Sequence, residues 1–219
     1  MKITLSEEIL RDFDRSEFSP HYENIFLRVV QQPAGDAYPF WARDRYHRYY
    51  RILGYLSTLF NDKVLVDIGT RAGHSACSLA FNENNIVYTY NSEDQEIEND
   101  AFSNFENIRP YVLTGGNQLD NILGAGDHRE HLLKSSLIFM DVDPHDGGKE
   151  SELFDFLTKN DYKGITLWDD IQVQLADWWK KTVDQATNEN FSTYNLKEYS
   201  WSEGSTGVIC FGEQEFILE

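Results

Sequence analysis

Two apolar runs in this chain end in carboxylates. Leu137-Ile138-Phe139-Met140 leads into Asp141-Val142-Asp143-Pro144-His145, and Ile165-Thr166-Leu167-Trp168 leads into Asp169-Asp170. A third run, Val64-Leu65-Val66-Asp67-Ile68, leads into Gly69-Thr70-Arg71-Ala72-Gly73-His74-Ser75, the pattern of a strand, a glycine turn and a helix start. Open α/β sheets bind ligands beyond the carboxyl ends of their strands, so these three ends predict one shared crevice. If Asp141, Asp169 and Asp170 meet there, each like-charge pair costs about 4 kcal/mol at 4 Å with an effective dielectric near 20. A proton or a cation must then neutralise them, and all-oxygen donors select a hard ion, Mg²⁺ or else Mn²⁺ or Ca²⁺.

The elements that must position these groups alternate in the βα manner. Strands are expected at Val64–Asp67, Ile86–Tyr90, Tyr111–Leu113, Leu137–Met140 and Ile165–Trp168. Helices are expected from Gly73, over Glu93–Phe105, near Leu119–Leu123, over Lys149–Thr158 and over Val173–Ala186. Such alternation predicts a Rossmann-like, doubly wound, mostly parallel sheet covered on both faces. At the C-terminal end, Phe191–Tyr199, a turn at Gly204-Ser205-Thr206-Gly207 and Val208–Phe211 read as a β-hairpin closing one sheet edge. Residues from about Ser6 to Phe60 read as helical and aromatic, with an apolar face at 46, 49, 50, 53 and 57. Most of these rings are expected to pack; the alternative is a helical cap over the site built from Arg43, Arg45 and His47.

With 219 residues the chain suits one core, divided here into a helical cap segment over residues 1–60 and a sheet domain over 61–219. The 37 acidic residues outnumber the 19 basic ones, and a net charge of −18 repels a nucleic-acid backbone. The start lacks an apolar secretion core and no stretch of 18 apolar residues occurs, so neither a membrane partner nor export is expected. Cys77 and Cys210 lack metal-type spacing and read as reduced, buried thiols, which favours a cytoplasmic setting. Oligomeric state leaves no mark in the sequence.

The Gly69-x-x-x-Gly73 spacing, with Arg71 between, departs from the nicotinamide Gly-x-Gly-x-x-Gly pattern. It resembles instead the first motif of class I S-adenosylmethionine-dependent methyltransferases, matched by Asp67, Gly69, Thr70, Gly73 and Ser75. The resemblance implies further cofactor contacts at Asn91 and Ser92, where the family has an acidic ribose ligand, and at Gly116 and Asn117 after the third strand. The Asp-x-Asp and Asp-Asp segments resemble metal-dependent sugar O-methyltransferases of the macrocin and aminocoumarin type. That likeness implies Asp141, Asp169 and Asp170 as ligands of the ion and Asp143 as general base, with His145 the competing base. The function it implies is methylation of a hydroxyl on a sugar or glycosylated small molecule. The rivals are a phenol or catechol acceptor at the same site, and a non-catalytic Rossmann-like binding module, for which the amide at Asn91 speaks.

Overall fold

The computed structural model describes residues 1–18, 44–69, 73–92, 102, 105–114, 118–142, 144–186, 191–200 and 205–219; side chains are described throughout except at 44–49, 118 and 200. Its centre is a seven-stranded sheet formed by β2 (Val64–Ile68), β3 (Ile86–Ser92), β4 (Ile108–Leu113), β5 (Ser135–Met140), β6 (Ile165–Trp168), β7 (Phe191–Asn195) and β8 (Gly207–Phe211). The strand order is β4-β3-β2-β5-β6-β8-β7. All neighbours run parallel except β8, which is antiparallel to both β6 and β7. The doubly wound sheet is therefore as the sequence predicts; the closing strands pair as expected, but the first ends at Asn195 instead of Tyr199, a short helix follows over Lys197–Ser200, and Gly207 already belongs to β8.

Strict side-chain alternation sorts the strands onto two faces. Leu65, Val87, Leu137, Phe139, Ile165, Leu167, Val208 and Cys210 share one apolar cluster with Leu10, Phe13, Phe18, Ile52, Leu53 and Leu56. Those partners come from the helix Glu7–Phe13, the π-helical turn Asp14–Phe18 and the helix Asp44–Thr58, so the described part of the N-terminal segment covers this face as a layer of the same core. The opposite cluster joins Val66, Ile68, Ile138, Met140, Trp168 and Ile209 to Leu119, Leu132, Leu153, Leu157 and Trp178 of four further helices. The first helix starts at Ser6, whose Oγ accepts from the Ile9 amide at 3.1 Å, and Glu7 and Glu8 complement its dipole.

Three features lie outside the sequence reading. The chain ends meet: β1 (Lys2–Leu5) pairs in parallel with β9 (Glu215–Leu218) as a separate two-stranded sheet. A second helix, Gly126–Lys134, follows the expected short one, which runs Gln118–Gly124. The helix expected from Val173 begins only at Ala176, because the Asp170 carbonyl gathers the amides of Val173 and Leu175 in a turn. Of the expected helix Glu93–Phe105 only Phe102 and Phe105 are described, joined by a turn bond from the Phe105 amide to the Phe102 carbonyl at 2.9 Å, and the cap side chains Arg43, Arg45 and His47 lie outside the described residues. Among the described residues no helix is long and apolar enough to cross a membrane.

Candidate active site at the sheet switch point

Strand order reverses between β2 and β5, and the backbone is zipped tightly there. The Asp141 amide donates to the Ile68 carbonyl at 2.9 Å, the Gly69 amide to Tyr90 at 2.9 Å, and the Asp169 amide to Met140 at 3.2 Å. These bonds carry the ladders one residue beyond the strands. Because Ile68 is in register with Tyr90 and Met140, Met140 with Trp168, and Trp168 with Gly207, the next row across the sheet is Asn91, Gly69, Asp141, Asp169 and Thr206. Alternation places all five on the face of Leu65 and Phe139. One transverse line of polar groups thus spans five strands, with a glycine in its second place.

Gly69 is required by geometry. Its φ is +98°, and a Cβ there would lie 1.7 Å from the Asp141 carbonyl oxygen. Gly73, at φ +91°, caps the helix His74–Leu79 without a side chain. Asp67 sits one layer deeper, fully enclosed, and its Oδ2 accepts from Thr89 Oγ1 at 2.7 Å. With the apolar packing, its charge raises the buried thiol of Cys77 well above the ordinary range, which keeps that sulfur inert. Cys77 and Cys210 are both free and buried.

The acidic groups meet around an imidazole. His145 is only 7 % exposed; its Nε2 lies 3.2 Å from Asp141 Oδ1 and its Nδ1 3.9 Å from Glu150 Oε1. Burial works to lower the His145 pKa, but the hydrogen bond and charge of Asp141, joined by the charges of Asp170 and Asp169, prevail and lift it to about 9. Beside these carboxylates His145 favours its imidazolium form at neutral pH. Asp169 moves the opposite way for a carboxylate: burial first, then Asp141 and Asp170, raise it well above the usual range. Burial likewise raises Glu150, which is 2 % exposed. His145 (φ +50°) and Asp170 (φ +57°) both hold left-handed backbone, a strain that concentrates at working sites.

Of the residues singled out in the sequence, the structure brings together Asp141, His145, Asp169 and Asp170, with Gly69 and Asn91 in the same row. Asn91 is fully buried, Ser75 is buried and Ser92 half-buried. Thr70, Gly116, Asn117 and Asp143 lie outside the described residues. Among the described residues no three His, Cys, Asp or Glu side chains form a metal-binding group. The all-oxygen donor set of Asp141, Asp169 and Asp170 nonetheless fits a hard ion in kind. His74 is buried at 3 % exposure and stacks on Tyr50, with ring centroids 5.5 Å apart, while His128 and His131 both approach the Tyr90 hydroxyl, at 3.3 and 2.7 Å. His128 and His131 are half-buried on the helix Gly126–Lys134, His131 in its last turn. Thr206 went unnoticed in the sequence: it is 1 % exposed and its Oγ1 has no hydrogen-bond partner. The only signal it left was its place in a Gly-Ser-Thr-Gly turn ahead of an apolar run.

No protein-family model matches the chain, and no curated protein matches it in sequence. Solved structures do match in fold. A putative caffeoyl-CoA O-methyltransferase from Staphylococcus aureus is 16 % identical with a TM-score of 0.57, covering 94 % of this chain and 98 % of the other. An O-methyltransferase from Bacillus cereus in complex with SAH is 18 % identical (TM-score 0.55; 94 % and 91 % covered). The O-methyltransferase TomG from Streptomyces achromogenes, in complex with SAM and involved in tomaymycin synthesis, is 14 % identical (TM-score 0.56; 92 % and 99 % covered). The chain has the fold of these O-methyltransferases along nearly its whole length.

Proposed function

We propose that this protein is an S-adenosylmethionine-dependent O-methyltransferase acting on a hydroxyl of a sugar or glycosylated small molecule, with Asp141, Asp169 and Asp170 holding a divalent ion. The observation that carries the reading is the transverse row at the switch point, where side-chain-free Gly69 lies between the Asn91 amide and the Asp141 and Asp169 carboxylates. A shared fold with proteins solved with SAM and SAH supports the cofactor.

In this reading S-adenosylmethionine supplies an activated methyl group, and a hard ion supplies positive charge that lowers the pKa of an acceptor hydroxyl. The chain's own part is positional and electrostatic. Asn91 offers an amide to ribose hydroxyls, Asp67 sets a fixed negative charge beneath the cofactor turn, and Ser75 and Ser92 add hydroxyls at its edge. Thr70, Gly116 and Asn117 complete the cofactor contacts. By the resemblance Asp143 takes the acceptor proton, with His145, 3.2 Å from Asp141, as the competing base, a contribution of roughly 10²- to 10⁴-fold. A dedicated carboxylate base suits a sugar alcohol more than a phenol, which ionises more easily. A phenol or catechol acceptor is the second reading, favoured by the fold shared with the putative caffeoyl-CoA O-methyltransferase.

Calorimetry with S-adenosylmethionine tests the core of this reading, and absence of binding would sink it. Transfer of labelled methyl to sugar and phenol panels, with and without chelator, then sorts acceptor and ion. Asp143→Asn is expected to abolish turnover while leaving cofactor affinity within about twofold; retained turnover would remove Asp143 from the role of base.

A further inference from the structure

The antiparallel β6/β8 register ends at Trp168 and Gly207, and its continuation by one step sets Asp169 opposite Thr206. Each carries a buried polar atom, Asp169 Oδ1 and Thr206 Oγ1, with no hydrogen-bond partner among the described residues. An unmet buried hydroxyl and an unmet buried carboxylate oxygen each cost free energy in the folded state. The backbone around them is held firmly. The Thr206 carbonyl accepts from the Leu196 amide at 2.9 Å, the neighbouring Ser205 carbonyl accepts from the Ile171 amide at 3.3 Å, and Ser205 Oγ donates to Asn195 Oδ1 at 2.7 Å. Ser205 itself sits at φ +60°. Thr206 is therefore fixed in place with its hydroxyl unused, in the same row as Asp141 and Asp169.

We infer that Thr206 is a ligand-binding residue of this site, holding one hydroxyl of the acceptor jointly with Asp169. The donor and acceptor count fits an alcohol: its O–H donates to Asp169 Oδ1 and its oxygen accepts from the Thr206 hydroxyl. An anionic group is disfavoured by Asp141, Asp169 and Asp170. A carboxylate has two oxygens, so contact through Oδ1 leaves Oδ2 for other use. The inference rests on the methyltransferase reading for the identity of the ligand as acceptor, and on geometry alone for the hydroxyl subsite.

The test pairs Thr206→Val, which keeps shape and removes the hydroxyl, with Thr206→Ser, which keeps it. For a hydroxyl reserved for a ligand, Thr206→Val is expected to raise the Tm of the ligand-free protein by about 2 to 4 °C, whereas a structural hydroxyl would lower it. Crystals soaked in glycerol, the simplest polyol probe, are expected to hold a hydroxyl within hydrogen-bond distance of both atoms in wild type and Thr206→Ser and none in Thr206→Val. A lowered Tm, glycerol at that point in all three crystals or in none, or a direct Thr206–protein hydrogen bond overturns the inference. Calorimetry with S-adenosylmethionine on the same proteins separates the two claims. If the cofactor fails to bind while glycerol occupies the subsite, the methyltransferase reading falls and the hydroxyl subsite stands.

Discussion

Two buried imidazoles flank the switch point and carry opposite charge states. His74, at the start of the helix after the glycine turn, lies among apolar groups and the Tyr50 ring, and burial drives its pKa down to about 3. His145, in the loop after β5, is nearly as enclosed, yet the carboxylates beside it lift it to about 9. Burial alone thus fixes neither the charge of a histidine nor its use. What decides for His145 is that a strand end delivers a carboxylate within hydrogen-bond reach, as β5 does with Asp141.

The strongest way to break this contrast is to prise the two strand ends apart. Gly69→Ala places a Cβ against the Asp141 carbonyl at positive φ, and is expected to cost about 3 to 5 kcal/mol, combining overpacking with backbone strain. Denaturant unfolding measures it, and a loss under 1 kcal/mol would show that the ends are not so tightly joined. Asp141→Asn should collapse the contrast without unfolding the chain. It removes the nearest charge that holds His145 protonated and leaves only a neutral, weaker acceptor at Oδ1, so the imidazole should titrate lower by about 1 to 2 units in an NMR pH series. An unmoved titration would assign the shift to Asp169 and Asp170.

The pH dependence of stability sharpens the contrast further, because the two histidines act in different windows. His74 refuses a proton that the unfolded chain accepts below about pH 6.5, so stability falls on acidification toward pH 3, by about 1.4 kcal/mol per pH unit from this group. His145 gains its proton partner on folding, so its stabilisation is complete below about pH 6.5 and is lost as pH rises through about 9. Thermal or denaturant unfolding of His74→Phe should flatten the acid limb and leave the alkaline limb in place; an unchanged acid limb would contradict the assignment. The smallest expected effect is that of Tyr50→Leu, about 1 kcal/mol from the lost ring stack. It should leave His74 neutral at pH 7 by NMR, since desolvation, not stacking, keeps it so.

Much of the sheet was legible because buried parallel strands announce themselves as apolar runs, and because Asp141, Asp169 and Gly69 follow such runs directly. The strand β1 was not, since Lys2–Leu5 finds its partner only at Glu215–Leu218, at the other end of the chain. The helix Gly126–Lys134 was hidden by the glycines at 124 and 126, which read as a turn. Thr206 was illegible as a site residue for a related reason: its own segment carries no motif, and antiparallel pairing alone sets it opposite Asp169.

By itself, then, the sequence determined which residues end the strands, because side-chain alternation and glycine tolerance are local properties of a few successive residues. Tertiary structure decided which of those ends share a row, that His145 rather than His74 is charged, and that a threonine from the closing hairpin joins the carboxylates. Those outcomes depend on register and on low-dielectric contact between residues far apart in the chain, where interaction energies are set by distances of a few ångströms.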